Sequence, residues 1–287
     1  MSGADVDRRA LLAEAAARLG SGGVASPEHD AAELLAHVLG CRRGDLVLRS
    51  VVPGEVAERF RALVERRTGR EPLQHLLGTA HFRHVELAVG PGVFVPRPET
   101  ELLAGWAVEA ALSLERPVVV DLCTGSGAIA KAVAHEVPHA EIHAVELDEV
   151  AHGWATRNLA GTGVDLRQGD MAEAFADLDG TVDVVVCNPP YIPLEAWESV
   201  APEARDHDPS LALWSGDDGL DAMRVLEARA ARLLRPGGVL GAEHADEQGE
   251  SAPAVFSVTG RWGEVRDHRD LAGRPRFVTA RLATYLS

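Results

Sequence analysis

Asn188-Pro189-Pro190-Tyr191 closes a run of apolar residues, Val184-Val185-Val186-Cys187. Its residue types suit one chemical problem, which is making a planar nitrogen react. The lone pair of an amide or conjugated amino nitrogen is delocalised, so such a nitrogen is a poor nucleophile. The side-chain oxygen of Asn188 can accept one of its N–H groups. Proline lacks an N–H, so the turn is short of donors and the Pro189 carbonyl is left to accept the second. Two acceptors draw the nitrogen toward tetrahedral geometry and aim its lone pair at a methyl group. Tyr191 offers a flat face on which the target can stack, and alignment of this kind accounts for a large part of a rate enhancement. The plainer reading, a rigid Pro-Pro turn without chemistry, does not explain why the turn ends a buried strand.

A second constellation lies upstream. Asp121-Leu122-Cys123-Thr124-Gly125-Ser126-Gly127 follows the apolar run Val118-Val119-Val120 and precedes a helical pattern. Glycines let backbone approach a ligand closely, and a helix start favours an anionic group. A dinucleotide-binding turn looks much the same. The next strand ends in Glu146, 25 residues after Asp121, where a carboxylate can accept both hydroxyls of a ribose. Asp170 lies where a third strand should end. It can take an adenine amino group, with Met171 on the ring, although a helix cap is an equally ordinary use of such a residue. A glycine loop and two acids at three strand ends fit an adenosyl ligand without separating NAD from S-adenosylmethionine. The Asn188–Tyr191 motif separates them, because it needs a methyl donor.

The elements that must hold these residues follow from periodicity. Residues 1–77 read as helices with no strand pattern. Leu11, Leu12, Ala15, Ala16 and Leu19 recur at helical spacing. Ser26 is placed to cap a helix opened by Pro27, with Leu34, Leu35, Val38 and Leu39 on its apolar face, and a third helix covers about 53–68 with Phe60, Leu63 and Val64 inward. Residues 78–97 alternate as a β-hairpin linker. From residue 98 a helix with Leu102, Leu103, Trp106, Ala107 and Ala110 inward leads into alternating strands and helices. Arg235-Pro236-Gly237-Gly238 reads as a turn before the strand 239–243, and 277–282 as a last strand. Continuous apolar strands alternating with helices predict a parallel α/β sheet covered on both faces, with ligands at the carboxyl ends of its strands.

Composition narrows the field. Of 287 residues, 46% are hydrophobic and the formal charge is -16. Residues 1–75 carry 11 basic and 11 acidic side chains, so the whole excess falls on the remainder. A catalytic half this acidic is a poor generic binder of nucleic acid, whose affinity comes mostly from cations on phosphates. Cys41, Cys123 and Cys187 make no disulfide framework and no zinc spacing. No apolar run reaches about 18 residues, and the first residues lack a signal-peptide pattern. The expectation is a cytoplasmic protein. His135-Glu136-Val137-Pro138-His139 matches a zinc-protease motif by letters, but Pro138 should break the helix that motif requires, so no metal is expected. Cys187 is read as structural, the acidic stretch 243–250 as a solvated turn and helix start, and Trp214 as a core residue.

Asn-Pro-Pro-Tyr is shared by several amino-methyltransferase families, DNA adenine methylases among them. The rest of the chain resembles one of these in particular. Arg67, Gly69, Glu71-Pro72-Leu73-Gln74-His75-Leu76-Leu77-Gly78, Phe82 and Val95-Pro96-Arg97-Pro98-Glu99-Thr100-Glu101 are similar to the linker of the release factor glutamine methyltransferases, the HemK/PrmC-type enzymes. Ser26-Pro27, Asp30-Ala31 and Leu34-Leu35-Ala36 resemble their helical N-domain. Asp208-Pro209, Ala212-Leu213, Gly216-Asp217-Asp218-Gly219-Leu220 and Glu243-His244 continue the likeness over almost the whole chain. The resemblance implies a Rossmann-like seven-stranded class I methyltransferase domain over 98–287 with a late antiparallel hairpin. It also implies a helical substrate-docking domain over 1–77 and transfer of a methyl group from S-adenosylmethionine to N5 of the glutamine in the Gly-Gly-Gln motif of class-1 peptide chain release factors. By the same resemblance Cys123, Thr124, Gly125, Ser126 and Gly127 line the methionine end, Glu146 takes the ribose and Asp170 and Met171 flank the adenine. Asn188, Pro189, Pro190 and Tyr191 hold the glutamine amide, Asn188 also borders the cofactor, and Pro96 to Thr100 wall the cofactor pocket. A monomer without stable nucleic-acid binding is expected. The alternative is an amino-methyltransferase acting on DNA or RNA bases. The chain departs from the family at His75, where Tyr is usual, at Asp208, where Glu is common, and at Cys123, where many relatives have Gly. A side chain at Cys123 is tolerated if the backbone there is not left-handed.

Overall fold

The computed structural model describes residues 4–284. The chain divides into two compact units. One holds the residues up to Thr79 together with 201–207, and the other holds 80–200 and the chain from Asp208 onward.

The first unit is helical. α1 (Arg8–Ser21), α2 (Pro27–Leu39), α3 (Gly54–Thr68) and α4 (Leu73–Leu77) bury Leu11, Leu19, Leu34, Leu35, Phe60 and Val64 against one another. The inward stripes are narrower than the sequence pattern suggests: Leu12, Ala16, Val38 and Leu63 are only partly buried. Two corrections concern local structure. Ser26 stands at the N-cap of α2 but its side chain makes no capping bond, and a two-residue antiparallel ladder, β1 (Val6–Asp7) with β2 (Val51–Val52), lies among the helices.

A short helix, Pro202–His207, from much later in the chain belongs to this unit. Charge holds it there. Arg67 is buried and donates through Nε to Asp30 at 2.8 Å and through Nη1 to the Glu71 carbonyl at 3.0 Å. Its Nη2 reaches Glu203 at 3.1 Å, and Arg70 grips the same carboxylate through Nε at 2.8 Å and Nη2 at 2.5 Å. The two guanidinium groups hold the Glu203 carboxyl below its usual range, against a desolvation that pushes it up.

The second unit opens with β3 (Thr79–Phe82) paired with β4 (Val85–Ala88). α5 (Thr100–Leu112), β5 (Val118–Leu122), α6 (Ala128–Glu136), β6 (Glu141–Glu146), α7 (Glu149–Leu159), β7 (Asp165–Gln168) and β8 (Val182–Cys187) follow. With the Pro202–His207 helix counted as α8, the unit ends in α9 (Asp221–Leu233), β9 (Leu234–Glu243), α10 (Ser251–Ser257), β10 (Trp262–Arg269) and β11 (Pro275–Leu282). The sheet order is β10-β11-β9-β8-β5-β6-β7. Five strands run parallel, and the terminal β10–β11 pair is antiparallel.

The two faces of the sheet are built from alternate residues. Val119, Ile142, Ala144, Val184 and Val186 pack on α5, α6 and α7. Val120, Leu122, Val145, Val185, Leu240 and Ala242 pack on α9 and α10. The inward face of α5 is rotated from the one the sequence suggests, with Leu103, Ala104, Ala107, Val108 and Ala111 buried and Leu102, Trp106 and Ala110 only partly so. Gly241 on β9 explains how closely α5 approaches. A Cβ there would lie 2.4 Å from the Trp106 ring and 2.9 Å from Leu103. Arg235 to Gly238, expected as a turn, lie within β9, which carries a register irregularity against β8. β10 carries little apolar alternation and is not apparent from periodicity.

The Arg67 cluster leads to a stability prediction. Arg67→Ala leaves buried Asp30 with only the half-exposed His29 ring at 3.3 Å beside it and should cost about 3–5 kcal/mol. Arg66→Ala removes a half-exposed pair with Glu71 and should cost about 1 kcal/mol or less. Urea unfolding of both variants measures the difference. A second prediction concerns Asp121, buried at the end of β5, where it accepts from Thr124 Oγ1 at 2.6 Å and the Ala130 amide at 3.1 Å. Burial pushes its carboxyl up to about 7. The unfolded chain ionises near pH 4, so between those values the native state holds the extra proton. This contribution to stability is present at low pH and is lost as pH rises through about 7. Asp121→Asn has no such proton to lose. Its thermal midpoint should therefore gain on that of the native chain from about pH 5 to about pH 8, and parallel curves would exclude the effect.

Candidate active site

Strand register brings the sequence-predicted residues to one edge of the sheet. Leu122 pairs with Val145 and with Cys187, and Cys187 with Ala242. The residues that follow, Cys123, Glu146, Asn188 and Glu243, therefore stand at neighbouring strand ends. Period-two alternation continues Ile142 and Ala144 into Glu146, and Val184 and Val186 into Asn188. These side chains leave the sheet on the face that carries α5, α6 and α7.

The glycine loop is tied down from several sides. The Thr124 amide donates to the Val145 carbonyl at 3.0 Å, and the Gly127 amide returns to the Thr124 carbonyl at 2.8 Å. Gly127 has φ 83° and opens α6, and a Cβ on it would lie 3.0 Å from Leu159. The Ser126 carbonyl accepts from Asn158 Nδ2 at 2.9 Å. Asn158 also exchanges two hydrogen bonds with the Ala88 backbone, so one buried amide joins α7, β4 and the loop. Sequence reading missed Asn158, because a single Asn on a helix carries no motif. Cys123 has φ 60°. The condition under which a side chain is tolerated there, a backbone that is not left-handed, is thus not met. The loop needs this conformation to turn from strand to helix, and a non-glycine residue bears it at roughly 1–2 kcal/mol.

Glu146 faces the loop. One oxygen accepts from the Gly125 amide at 2.8 Å and the other from the Asp148 amide at 2.9 Å. Desolvation raises its pKa, and these amides oppose the rise. A carboxylate has about four acceptor sites, so Glu146 keeps capacity to accept from a hydroxyl group. Met171 comes to the loop as well, its Sδ 3.5 Å from Cys123 Sγ. Asp170 is exposed and accepts from the Ala172 amide at 2.8 Å, the cap-like use open to it from the sequence. Left-handed glycine backbone, a ribose-sized acceptor and a soft sulfur-lined wall fit S-adenosylmethionine.

Asn188 is half-buried, and its Nδ2 lies 3.4 Å from Thr100 Oγ1 at the start of α5. The Tyr191 hydroxyl donates to Glu243 Oε1 at 3.2 Å. Burial pushes the Glu243 carboxyl up to about 7, opposed by Thr100, Arg276 and Tyr191. This corrects the reading of 243–250 as solvated: Glu243, His244 and Gln248 are buried, because the parallel sheet carries β9 through to Glu243. Gln248 supports the motif from below. It donates to the carbonyls of Tyr191 at 3.0 Å and Asp218 at 3.3 Å and accepts from the Ala245 amide at 3.0 Å. Arg97 of the Pro96–Thr100 segment lies over the Phe94 ring and pairs with buried Asp208 at 2.5 Å. Trp214 is half-buried, stacked on Trp197 at 5.4 Å, and so is not the core residue expected. Burial raises the Cys187 thiol well above its ordinary range, which suits a packing role. α6 ends at Glu136, so His135 and His139 do not share a helix.

Comparison with known proteins agrees with this geometry. Residues 10–78 match the family model of the PrmC N-terminal domain, and residues 99–201 that of the methyltransferase small domain. The chain is 58% identical over 276 residues to the release factor glutamine methyltransferase of Streptomyces coelicolor, covering 96% of this chain and 98% of that one. It is 45% identical over 258 residues to a 4-amino-L-phenylalanine/4-methylamino-L-phenylalanine methyltransferase of Streptomyces pristinaespiralis, covering 88% and 87%. The catalytic domain of hMettl16, solved with the MAT2A 3′UTR hairpin 6, superposes with a TM-score of 0.54 at 14% identity, over 70% of this chain and 77% of that one, a likeness of fold alone. No helix of the described residues is long and apolar enough to cross a membrane. A seven-stranded sheet whose strand ends gather a glycine loop, the Glu146 carboxylate and Asn-Pro-Pro-Tyr, on a chain this close to its relatives, makes the protein an S-adenosylmethionine-dependent methyltransferase and a member of the release factor glutamine methyltransferase family.

Proposed function

We propose that this enzyme methylates N5 of the glutamine in the Gly-Gly-Gln motif of class-1 peptide chain release factors. The observation that carries the reading is Asn188-Pro189-Pro190-Tyr191 at the end of β8, on a chain 58% identical, over nearly its full length, to an enzyme named for that reaction. S-adenosylmethionine, when bound, supplies an electrophilic methyl group. Thr124 to Gly127 are assigned its methionine end, Glu146 its ribose, and Asp170 with Met171 its adenine. The protein's part in the chemistry is to hold the glutamine amide. Asn188 Oδ1 and the Pro189 carbonyl accept its two N–H groups, Pro190 stiffens the turn, and Tyr191 stacks on the amide plane. The nitrogen then presents its lone pair, and after transfer it sheds one proton and becomes a secondary amide. Residues 1–77 are assigned docking of the release factor. Action as a monomer in the cytoplasm, without stable nucleic-acid binding, completes the proposal.

The same motif could serve a nucleic-acid base, but a formal charge of -16 works against polyanion binding. The relative named for 4-amino-L-phenylalanine shows that related chains include one named for a small aryl amine, so that class of nitrogen belongs in the test. Purified unmethylated release factor, the same factor with its Gly-Gly-Gln glutamine replaced, 4-amino-L-phenylalanine, DNA and RNA should each be offered labelled S-adenosylmethionine. Label should appear on the normal factor alone and map to that glutamine. Label on any other substrate, with none on the factor, would reassign the enzyme.

The roles assigned to Asn188 and Glu146 predict opposite kinetic signatures. Asn188→Ala should lower kcat by about 100-fold or more, the size of effect seen when one oriented hydrogen-bonding group is removed from an active site, with cofactor Kd nearly unchanged. Glu146→Ala should weaken cofactor binding by about 1.5–3 kcal/mol, the range for hydrogen bonds to a charged group. Calorimetric titration of cofactor and steady-state kinetics separate the two, and equal loss of both properties in either variant would remove its residue from the assigned role.

A further inference from the structure

The turn after β8 is poorly equipped to hold itself in place. Pro189 and Pro190 have no N–H to donate. Among the described residues, the backbone from Pro189 to Tyr191 makes one hydrogen bond within the protein: the Tyr191 carbonyl accepts from Gln248 Nε2 at 3.0 Å. The next amide, that of Ile192, belongs to the same peptide plane and donates to the Leu213 carbonyl at 2.8 Å. A single hydrogen bond is a hinge about which a peptide plane can tilt. Bonds on both of its edges stop the tilt. Gln248 thus fixes the direction in which the chain leaves Tyr191, and with it the aim of the phenol ring. Proline holds φ near about -65°, so a tilt at Tyr191 is passed through Pro190 to the Pro189 carbonyl instead of being absorbed between them.

Gln248 is itself firmly seated. It is 5% exposed. Its Oε1 accepts from the Ala245 amide at 3.0 Å, and its Nε2 donates a second time, to the Asp218 carbonyl at 3.3 Å. One end of the side-chain amide meets a donor and the other meets two acceptors, so these partners assign its orientation. Gly219 makes the meeting possible. It has φ 75°, and a Cβ on it would press on the Tyr191 carbonyl oxygen and lie 2.7 Å from Gln248 Nε2. Three segments of chain therefore converge on one carbonyl at the end of the Asn188–Tyr191 motif.

We propose that Gln248, seated against Gly219, is a positioning residue for methyl transfer, which sets the tilt of the Tyr191–Ile192 peptide and so aims the Tyr191 ring and the Pro189 carbonyl at the target nitrogen. The inference rests on the proposed function, in that Asn188 to Tyr191 are taken to hold that nitrogen. Gln248 touches neither substrate nor cofactor in this account. It acts through the turn, and its loss lets the turn move as a body.

Gln248→Met keeps the length of the side chain and removes its hydrogen bonds. Gln248→Glu keeps its shape and puts an acceptor where the donor stood. Each should lower kcat on the release factor by about 10-fold to 100-fold, the scale of loss for a displacement of about 1 Å in an active site, while cofactor Kd stays within about threefold. Gly219→Ala pushes on the same carbonyl and should show the same split. The double variant Gly219→Ala/Gln248→Met should lose far less than the product of the two single losses, because both act on one joint. Undiminished kcat in Gln248→Met, cofactor affinity that falls in step with kcat, or losses that multiply would overturn the inference. A further readout needs no substrate. The chain has two tyrosines, so 13C labelling of tyrosine rings gives two sets of NMR signals, and Tyr191→Phe identifies the set that belongs to Tyr191. In folded Gln248→Met that set should shift and sharpen as the ring gains freedom. Signals of unchanged position and width sink the positioning role whether or not the release factor is the substrate. A released ring, with no methylation of the factor by the native enzyme, would uphold the positioning and reject the substrate.

Discussion

Strand register is the constraint on which the site depends. β6, β5, β8 and β9 lie side by side and parallel, with Val145, Leu122, Cys187 and Ala242 on a common rung. Side chains alternate between faces with period two, so the residues that follow share an edge and alternate ones share a face. A slip of one residue in β8 would carry Asn188 to the α9–α10 side and bring Val186 out of its core. The apolar pattern that buries Val184 and Val186 on one side, and Val185 and Cys187 on the other, therefore also aims the Asn188–Tyr191 motif. Core packing and site geometry are a single specification here, and no loop flexibility intervenes before Asn188.

That arrangement concentrates carboxyls where water is scarce. Asp121, Glu146 and Glu243 all sit at or near strand ends, and burial raises each of them. The chain compensates with directed hydrogen bonds instead of ion pairs at close range. Asp121 accepts from Thr124 and the Ala130 amide, Glu146 from the Gly125 and Asp148 amides, and Glu243 from Tyr191. Backbone amides and hydroxyls stabilise charge there without a mobile cation. Arg276 presses on Glu243 and is itself anchored on Asp270 at 3.1 Å.

Much of this was legible in the sequence, and the failures have physical reasons. The strand-and-helix alternation, the Asn188–Tyr191 turn and the Gly125–Glu146 relation are written in local pattern and spacing, and the structure places Glu146 against the Gly125 amide and Asn188 at a strand end. Asn158, Thr100 and Gln248 act through contacts 30 to 88 residues away in the chain, where no local pattern can announce them. Glu243 and His244 looked solvated because charged letters usually are, and only the pairing of β9 between β8 and β11 shows them to be interior. At Cys123 the sequence left the backbone conformation open, and the strand-to-helix turn imposes φ 60° on the cysteine. Trp214 was read from its apolarity alone, and it stacks on Trp197 at the surface instead.

The segment after the Asn188–Tyr191 turn passes from the second unit through the first and back. Tyr191 and Ile192 are held in the second unit, Ile192 by a backbone pair with Leu213 and Ser215. Fewer than a dozen residues on, Glu203 is clasped by Arg67 and Arg70 of the first. Asp208 returns the chain to the second unit and is taken by Arg97. Glu203 is more than a surface acid in this setting: two guanidinium groups share one largely buried carboxylate, the geometry in which an ion pair resists water. A mobile loop could have carried the turn from Ile192 to Asp208 at less cost in buried charge. The chain instead fixes it at Glu203 within the first unit and at Asp208 within the second, although burying paired charges adds little to stability over apolar packing.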